Sequence, residues 1–328
     1  MWRADAKYRF LLTRRRAVKI CILGAGALGC TIGGVLTEAG NDVWLINRNA
    51  DQVNAMNSNG LRLRAADAQG VLVDRTVKVQ AATTAHAAGV VDLVVVLVKS
   101  FHTAEAMSAS LSLLGPGTVV MSLQNGLGHE DVLASIVGQG RLLAGKSYVG
   151  GTQLGPGHVL VGTRGKDTHI GELDGSTTPR VQRIADTFNA AGLQTIISTN
   201  IMGTIWDKLL INAATGALTA ITQLTYGELY KQPLLEACGL AAVLEAMAVA
   251  RASGITLSIT EPIIAWRKAG DGLPYDFKTS MLQSLESGRP TEVDYVNGAV
   301  VERGRLYGVP TPVNQTLVAC VKALESKL

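Results

Sequence analysis

Residues 18 to 40 constrain this chain more than any others. VKICIL (18–23) is a short apolar run rich in β-branched residues, GAGALG (24–29) follows with no spacer, and CTIGGVLTEAG (30–40) has the character of a helix ending at Gly40. Strand, turn and helix in that order place Gly24, Gly26 and Gly29 as GxGxxG. In that context Gly24 permits the tight turn, Gly26 lets a pyrophosphate approach the backbone, and Gly29 allows close helix–strand packing. The helix N-terminus then offers free N–H groups and a positive dipole to phosphates. The stretch points to a dinucleotide site, against the plainer alternative of a purely structural glycine turn.

The next strand, DVWLIN (42–47), ends where the adenosine ribose would lie. A site for NADH usually carries Asp or Glu there to hold the 2′-hydroxyl. This chain has Asn47 and Arg48. A guanidinium pairs with a 2′-phosphate that a carboxylate would repel, so the cofactor expected is NADPH.

VVDLVVVLVK (90–99) and TVVMSLQNG (118–126) continue a doubly wound rhythm of buried parallel strands. Their carboxyl ends carry Lys99 and Asn125, where open α/β sheets bind ligands, so both are cofactor or substrate candidates. After residue 140 come Gly-rich pieces such as GHVLVG and DTHIGEL, expected as antiparallel strands completing the sheet. Helical periodicity dominates from about residue 200, with helices expected over 203–225, 234–254 and 280–306. The domains expected are a basic arm at 1–17, a dinucleotide-binding α/β domain at 18–199 and an all-helical domain at 200–328.

The formal charge of +4 is concentrated at the N-terminus, because residues 1–16 hold six basic side chains against Asp5 and the remainder sums to −1. With no basic face, nucleic-acid binding is not expected. The arm MWRADAKYRFLLTRRR before an apolar run imitates a signal peptide, but Lys19 and the glycines break that run. A disordered arm or an over-early start is the simpler reading. Cys21, Cys30, Cys238 and Cys320 have no metal-site or disulfide spacing, and no metal is expected. No stretch has the uninterrupted apolar length of a membrane span, and a cytoplasmic setting fits.

IWDKLLINAATGALTAI (205–221) raises a separate question. Its apolar residues recur at helical spacing, while Lys208, Asn212, Thr215 and Thr219 form one narrow polar stripe. Such a stripe is ordinarily the solvated side of an amphipathic helix, and the alternative is a catalytic face.

Taken in order, GAGALG, VKSFHTAEA, LQNGLG, WDKLLIN with LTAI, and SML…TEVDYVNG…GVPTPVN resemble the ketopantoate reductase (2-dehydropantoate 2-reductase) family over residues 18 to 325. The resemblance implies a Rossmann domain followed by a helical domain with the site in the cleft between them. It implies that Lys208 is the general acid, that Asn212 and Ser280 bind substrate, that Glu292 contacts substrate or fixes the lysine's rotamer, and that Lys99 and Asn125 flank the nicotinamide. Reduction of 2-dehydropantoate to (R)-pantoate by NADPH is the activity it implies first. A relative acting on another branched or aromatic 2-keto acid, in the manner of D-mandelate dehydrogenases, is the alternative, and a non-catalytic NADPH-binding redox sensor is a third. A homodimer is left open as the assembly. The sequence departs from the family at Gly216-Ala217, where Asn-Pro is common, and at Tyr226 and Phe277, where asparagine is frequent. From these departures a less polar pocket is expected, with Gly216 leaving room for a bulkier substrate group.

Overall fold

The strand, turn and helix that open the sequence also open the fold, a computed structural model that describes residues 17–67 and 69–328. The arm expected at 1–17 therefore lies, except for Ala17, outside the described residues. The first half runs β1 (Lys19–Leu23), α1 (Ala27–Glu38), β2 (Asp42–Ile46), α2 (Ala50–Asn59), β3 (Leu61–Ala66), β4 (Leu72–Val77), β5 (Gln80–Ala82), β6 (Val91–Val96), α3 (Thr103–Ser108), β7 (Leu114–Ser122), α4 (His129–Val137), β8 (Leu142–Ser147), β9 (Gly150–Gly155), β10 (His158–Gly162), β11 (Thr168–Gly171), α5 (Pro179–Ala190) and β12 (Thr195–Ile197). The main sheet has the order β5, β2, β1, β6, β7, β8, β11, β12. Its first six strands are parallel, in the doubly wound order that reverses direction between β1 and β6.

DTHIGEL supplies β11, which joins this sheet antiparallel to β8 as expected. GHVLVG does not complete the same sheet. It forms β10 in a second sheet of order β4, β3, β10, β9, where it lies parallel to β3 and antiparallel to β9. The second sheet explains why α1 is apolar almost all round. A Cβ on Gly33 would lie 2.3 Å from Leu45 of the main sheet, and one on Gly34 would lie 2.9 Å from Leu61 and Leu63 of β3. Helix α1 is thus packed on both sides, and its glycines let it fit between the sheets. The apolar run that imitates a signal peptide is strand β1, the glycine turn and this buried helix.

Every element after residue 200 is helical: α6 (Ile201–Thr222), α7 (Tyr226–Leu229), α8 (Pro233–Ala252), α9 (Pro262–Gly270), α10 (Ser280–Glu286), α11 (Asn297–Tyr307) and α12 (Pro312–Glu325). The helix expected over 280–306 is two helices. Gly288 adopts φ +62° and Pro290 follows, so the chain leaves the helix there and re-enters at Asn297. Helix α6 is the hub, with Trp206, Leu209, Leu210, Ala213, Ala214 and Ala217 all buried in one core that also takes in Leu127 and Ala144 from the first half. Among the described residues α8 alone is long and apolar enough to cross a membrane, yet Ala242, Val243, Ala246, Val249 and Ala250 on it are buried in that same core.

The contact of α8 with α6 is close because Gly239 has no side chain. A Cβ there would lie 2.5 Å from Trp266 and 2.6 Å from the Ala214 carbonyl. Replacing Gly239 by Ala should destabilise the protein by about 1–3 kcal/mol through overpacking. Chemical denaturation would show this as a lower midpoint, and an unchanged midpoint would mean that α6 and α8 can separate freely.

Candidate active site

The three glycines of the turn are needed for three different reasons. Gly24 has φ +112° and a Cβ on it would lie 2.4 Å from the Val98 amide nitrogen, so both conformation and space require glycine. A Cβ on Gly29 would lie 2.2 Å from the Gly24 carbonyl, which is the helix–strand approach. Gly26 has nothing within 4 Å and leaves the backbone open to the cleft. It is also the N-cap of α1, with no side-chain cap and no acidic residue in the first turn, so the first N–H groups remain available to an anion. These features fit a dinucleotide's pyrophosphate.

Asn47 at the end of β2 donates to the Ala25 carbonyl (2.7 Å) and accepts from the Asn49 amide (2.9 Å), fixing the path of the loop. Arg48 then projects outward. It and Glu105 on α3 are each 66 % exposed, with 3.4 Å between guanidinium and carboxylate. A cleft of about 780 Å³ runs past Gly24, Gly26, Gly29, Arg48, Lys99 and Asn125 to Ser284, Arg289 and Glu292 of the helical half.

Glu292 is the best-anchored group in this cleft. Its carboxylate accepts from Lys99 Nζ (2.9 Å), from the Ser100 amide (3.0 Å) and from Ser100 Oγ (2.6 Å). Burial alone would raise its carboxyl, but the Lys99 charge and the Ser100 donors outweigh burial and hold it below its ordinary value. His129 Nε2 lies 2.9 Å from the same hydroxyl. Since the hydroxyl has one proton and gives it to Glu292, the imidazole must be the donor at Nε2. Burial pushes His129 down to about 4, so the ring is neutral at physiological pH, and it stacks on Tyr295 with centroids 5.6 Å apart. Ser100 Oγ also lies 3.4 Å from the Asn125 carbonyl, so the segments that follow β6 and β7 meet here.

Lys208 occupies a second cluster. It is half-buried, burial pushes it down to about 8, and its ammonium donates to the carbonyl of Ser147 at the end of β8. Glu292 does not fix the Lys208 rotamer, since its partners are Lys99 and Ser100 and the lysine is held by Ser147. Asn212 is half-buried one turn further on. The polar stripe then changes character. Thr215 lies 3.1 Å from the Tyr226 hydroxyl, and Thr219 lies 2.6 Å from Thr279, all of them buried. The stripe is therefore not a solvated face: its lower half joins helices, and only Lys208 and Asn212 face outward from the core.

Ser280 is the first residue of α10 and is exposed. It, Lys208 and Asn212 do not line the cleft that holds the other candidates. Gly216 opens no space for substrate, because a Cβ on it would lie 3.3 Å from the Met281 sulfur and α10 already covers it. Tyr226 is buried and stacks on Phe277 and Tyr230, forming an aromatic row between helices and not a pocket wall. Among the described residues no group of three or more His, Cys, Asp or Glu side chains is placed to hold a metal ion.

Ser100, next to Lys99, and His129, four residues after Asn125, were not among the sequence's site candidates. Lys146 and Tyr148 were also missed: Lys146 is buried in β8 with its ammonium 3.5 Å from the centroid of the Tyr148 ring.

Fold and cleft together define an oxidoreductase of the Rossmann-type dinucleotide-binding class. Residues 20–175 match the family described as Ketopantoate reductase PanE/ApbA, and residues 200–325 match its C-terminal counterpart. The 2-dehydropantoate 2-reductase of Halobacterium salinarum is 32 % identical over 93 % of this chain and 98 % of its own length. That of Archaeoglobus fulgidus is 32 % identical over 95 % of this chain and its full length. Among solved structures, a PanE/ApbA family ketopantoate reductase from Ralstonia eutropha is 38 % identical with a TM-score of 0.85, covering 94 % of this chain and 99 % of its own. D-mandelate dehydrogenase in ternary complex with NADH and anilino(oxo)acetate is 28 % identical with a TM-score of 0.86 over the same shares. The chain belongs to the ketopantoate reductase family.

Proposed function

We propose that this protein reduces a 2-keto acid with NADPH, and that 2-dehydropantoate, reduced to (R)-pantoate in pantothenate biosynthesis, is its first candidate substrate. In this reading residues 18–199 bind the cofactor and residues 200–328 complete the catalytic site. The observation that carries it is Lys208, a half-buried ammonium at the carboxyl end of the sheet, lowered to about 8 and still protonated at neutral pH.

Gly24, Gly26 and Gly29 with the α1 N-terminus would hold the pyrophosphate, Arg48 the 2′-phosphate, and Lys99 and Asn125 the nicotinamide end. The bound dihydronicotinamide supplies a hydride. As the ketone carbon accepts it, the carbonyl oxygen gains negative charge, which the Lys208 ammonium neutralises while donating its proton. Asn125, Asn212 and Ser280 orient the substrate without adding charge. Glu292, kept ionised by Lys99 and Ser100, is the fixed acceptor for a substrate hydroxyl. The likeness to D-mandelate dehydrogenase supports a second reading, an aromatic or branched 2-keto acid as substrate, and Glu105 beside Arg48 supports NADH as its cofactor.

Initial rates of NADPH and NADH oxidation across a panel of 2-keto acids separate these readings. Fastest turnover of 2-dehydropantoate with NADPH is expected. Tight NADPH binding with no turnover of any keto acid would instead favour the redox-sensor reading. Lys208→Ala should lower kcat by at least about two orders of magnitude with little change in cofactor affinity. A general acid must be protonated, so kcat/KM of the wild type should fall as pH rises through about 8; a rate that keeps rising above that pH would remove Lys208 from this role. Arg48→Ala should raise KM for NADPH roughly 10-fold and leave NADH unaffected, the scale of one charge-assisted contact. Equal losses with both cofactors would show that Arg48 does not read the phosphate.

A further inference from the structure

Strand β8 carries a lysine that the reduction step leaves unused. Lys146 is 4 % exposed, and among the described residues its ammonium has neither a hydrogen-bond acceptor nor an ion-pair partner. Asp167 and Asp207 reach it only through their fields, and both are engaged elsewhere. Asp207 accepts from the Ser258 amide and hydroxyl and from the Ile259 amide, and Asp167 pairs with His169 at 3.2 Å. Burial, with added repulsion from Lys208 and Lys268, pushes Lys146 down to about 7. A buried ammonium beside another ammonium, with no counter-charge, is costly unless something supplies one.

Its position says what that is. Side chains alternate along a strand, and Ala144 of β8 is buried in the core built around α6, so Lys146, two residues on, points to the same face. Ser122 of β7 pairs with Ala144, which puts Lys146 level with Gln124 at the ligand-binding ends of the parallel strands, one residue short of Asn125. The Tyr148 ring lies 3.5 Å from the Lys146 ammonium and 5.5 Å from that of Lys208, and Lys208 donates to the carbonyl of Ser147 between them. The ring is 37 % exposed, so this two-lysine pocket has an open side.

We propose that Lys146 holds a carboxylate of the 2-keto acid, so that Lys146 and Lys208 grip the substrate together, one by its acid group and one by its ketone oxygen; this rests on the reduction reading above. In every 2-keto acid the C1 carboxylate is bonded to the carbon bearing the ketone oxygen, so a cation next to the proton donor lies where that carboxylate falls. A second carboxylate on the substrate side chain has the same chemistry. A neutral ester leaves the ammonium buried without a partner.

The test compares wild type with Lys146→Met and Lys146→Arg on three substrates: a 2-keto monoacid, its methyl ester and a 2-keto diacid. Wild type should favour the acid over the ester by roughly 10- to 100-fold in kcat/KM, the scale of one charge-assisted hydrogen bond. Lys146→Met should lose most of that preference with NADPH affinity unchanged, and Lys146→Arg should keep it. If Lys146→Met keeps the acid-over-ester ratio but loses a preference for diacid over monoacid, the carboxylate held is the distal one. If both ratios survive, the proposal is wrong. Lys146→Gln replaces the Met variant should the latter not fold. Calorimetric titration of the NADP⁺-loaded protein with oxamate, an unreactive 2-keto acid analogue, reports on Lys146 independently of turnover: weaker binding to Lys146→Met supports it and equal binding overturns it. Absence of turnover in wild type, with that binding difference intact, would sink the reduction reading alone.

Discussion

Helix α6 has almost no solvent face, and that sets the surroundings of the one lysine it carries. Trp206, Leu209, Leu210 and Ala213 surround the base of the Lys208 side chain with a packed core. The ammonium reaches the end of β8, where it donates to a backbone carbonyl and, among the described residues, pairs with no carboxylate. Desolvation without a counter-charge lowers its affinity for a proton, which brings an otherwise strongly basic group close to the pH at which a general acid is useful. An ion pair at the same place would have had the opposite effect. The closest carboxylate in sequence, Asp207, is turned away and bound by the Ser258–Ile259 segment.

The other cluster is organised by a charge that is paired. Glu292 comes from the segment between α10 and α11 and meets Lys99 and Ser100, about two hundred residues earlier in the chain. This contact pins the helical half against the cleft at the ends of β6 and β7. A half-buried carboxylate that accepts three hydrogen bonds from Lys99 and Ser100, with His129 behind the serine hydroxyl, cannot rotate freely, so its remaining acceptor capacity has a fixed direction. The two clusters are therefore complementary: one holds a proton loosely enough to give it away, and the other stays ionised.

How much of this could be read from the chain depends on the range of the interactions. The glycine turn was legible because its requirements are local: Gly24 and Gly29 are constrained by the same strand–turn–helix unit or by the segment after the adjoining strand, while Gly26 leaves the backbone open. Lys99 and Asn125 were legible as strand-end positions. The second sheet was not, because β3 pairs with β10 across nearly a hundred residues and nothing in either segment specifies its partner. Nor were the fates of Thr215, Thr219 and Gly216. The 3.6-residue period correctly aligned the two threonines with Lys208, with Gly216 beside that stripe, but whether such a face meets water, substrate or another helix is decided by what docks on it, and α10 docks there through Thr279 and Met281. The helix break near Gly288 carried a local signal in Gly288 and Pro290 that the expected run from 280 to 306 passed over. Lys146 looked like an ordinary strand residue; only the arrangement around it shows that it lacks a partner.

The central claim is that Lys208 gives its proton to the oxygen of a reduced ketone. A crystal structure of the protein with NADP⁺ and a 2-hydroxy acid product tests it most directly. The account predicts the product hydroxyl within about 3 Å of Lys208 Nζ, a hydrogen-bond distance. A hydroxyl that instead meets another donor, with the lysine out of reach on the Ser147 carbonyl, would contradict it.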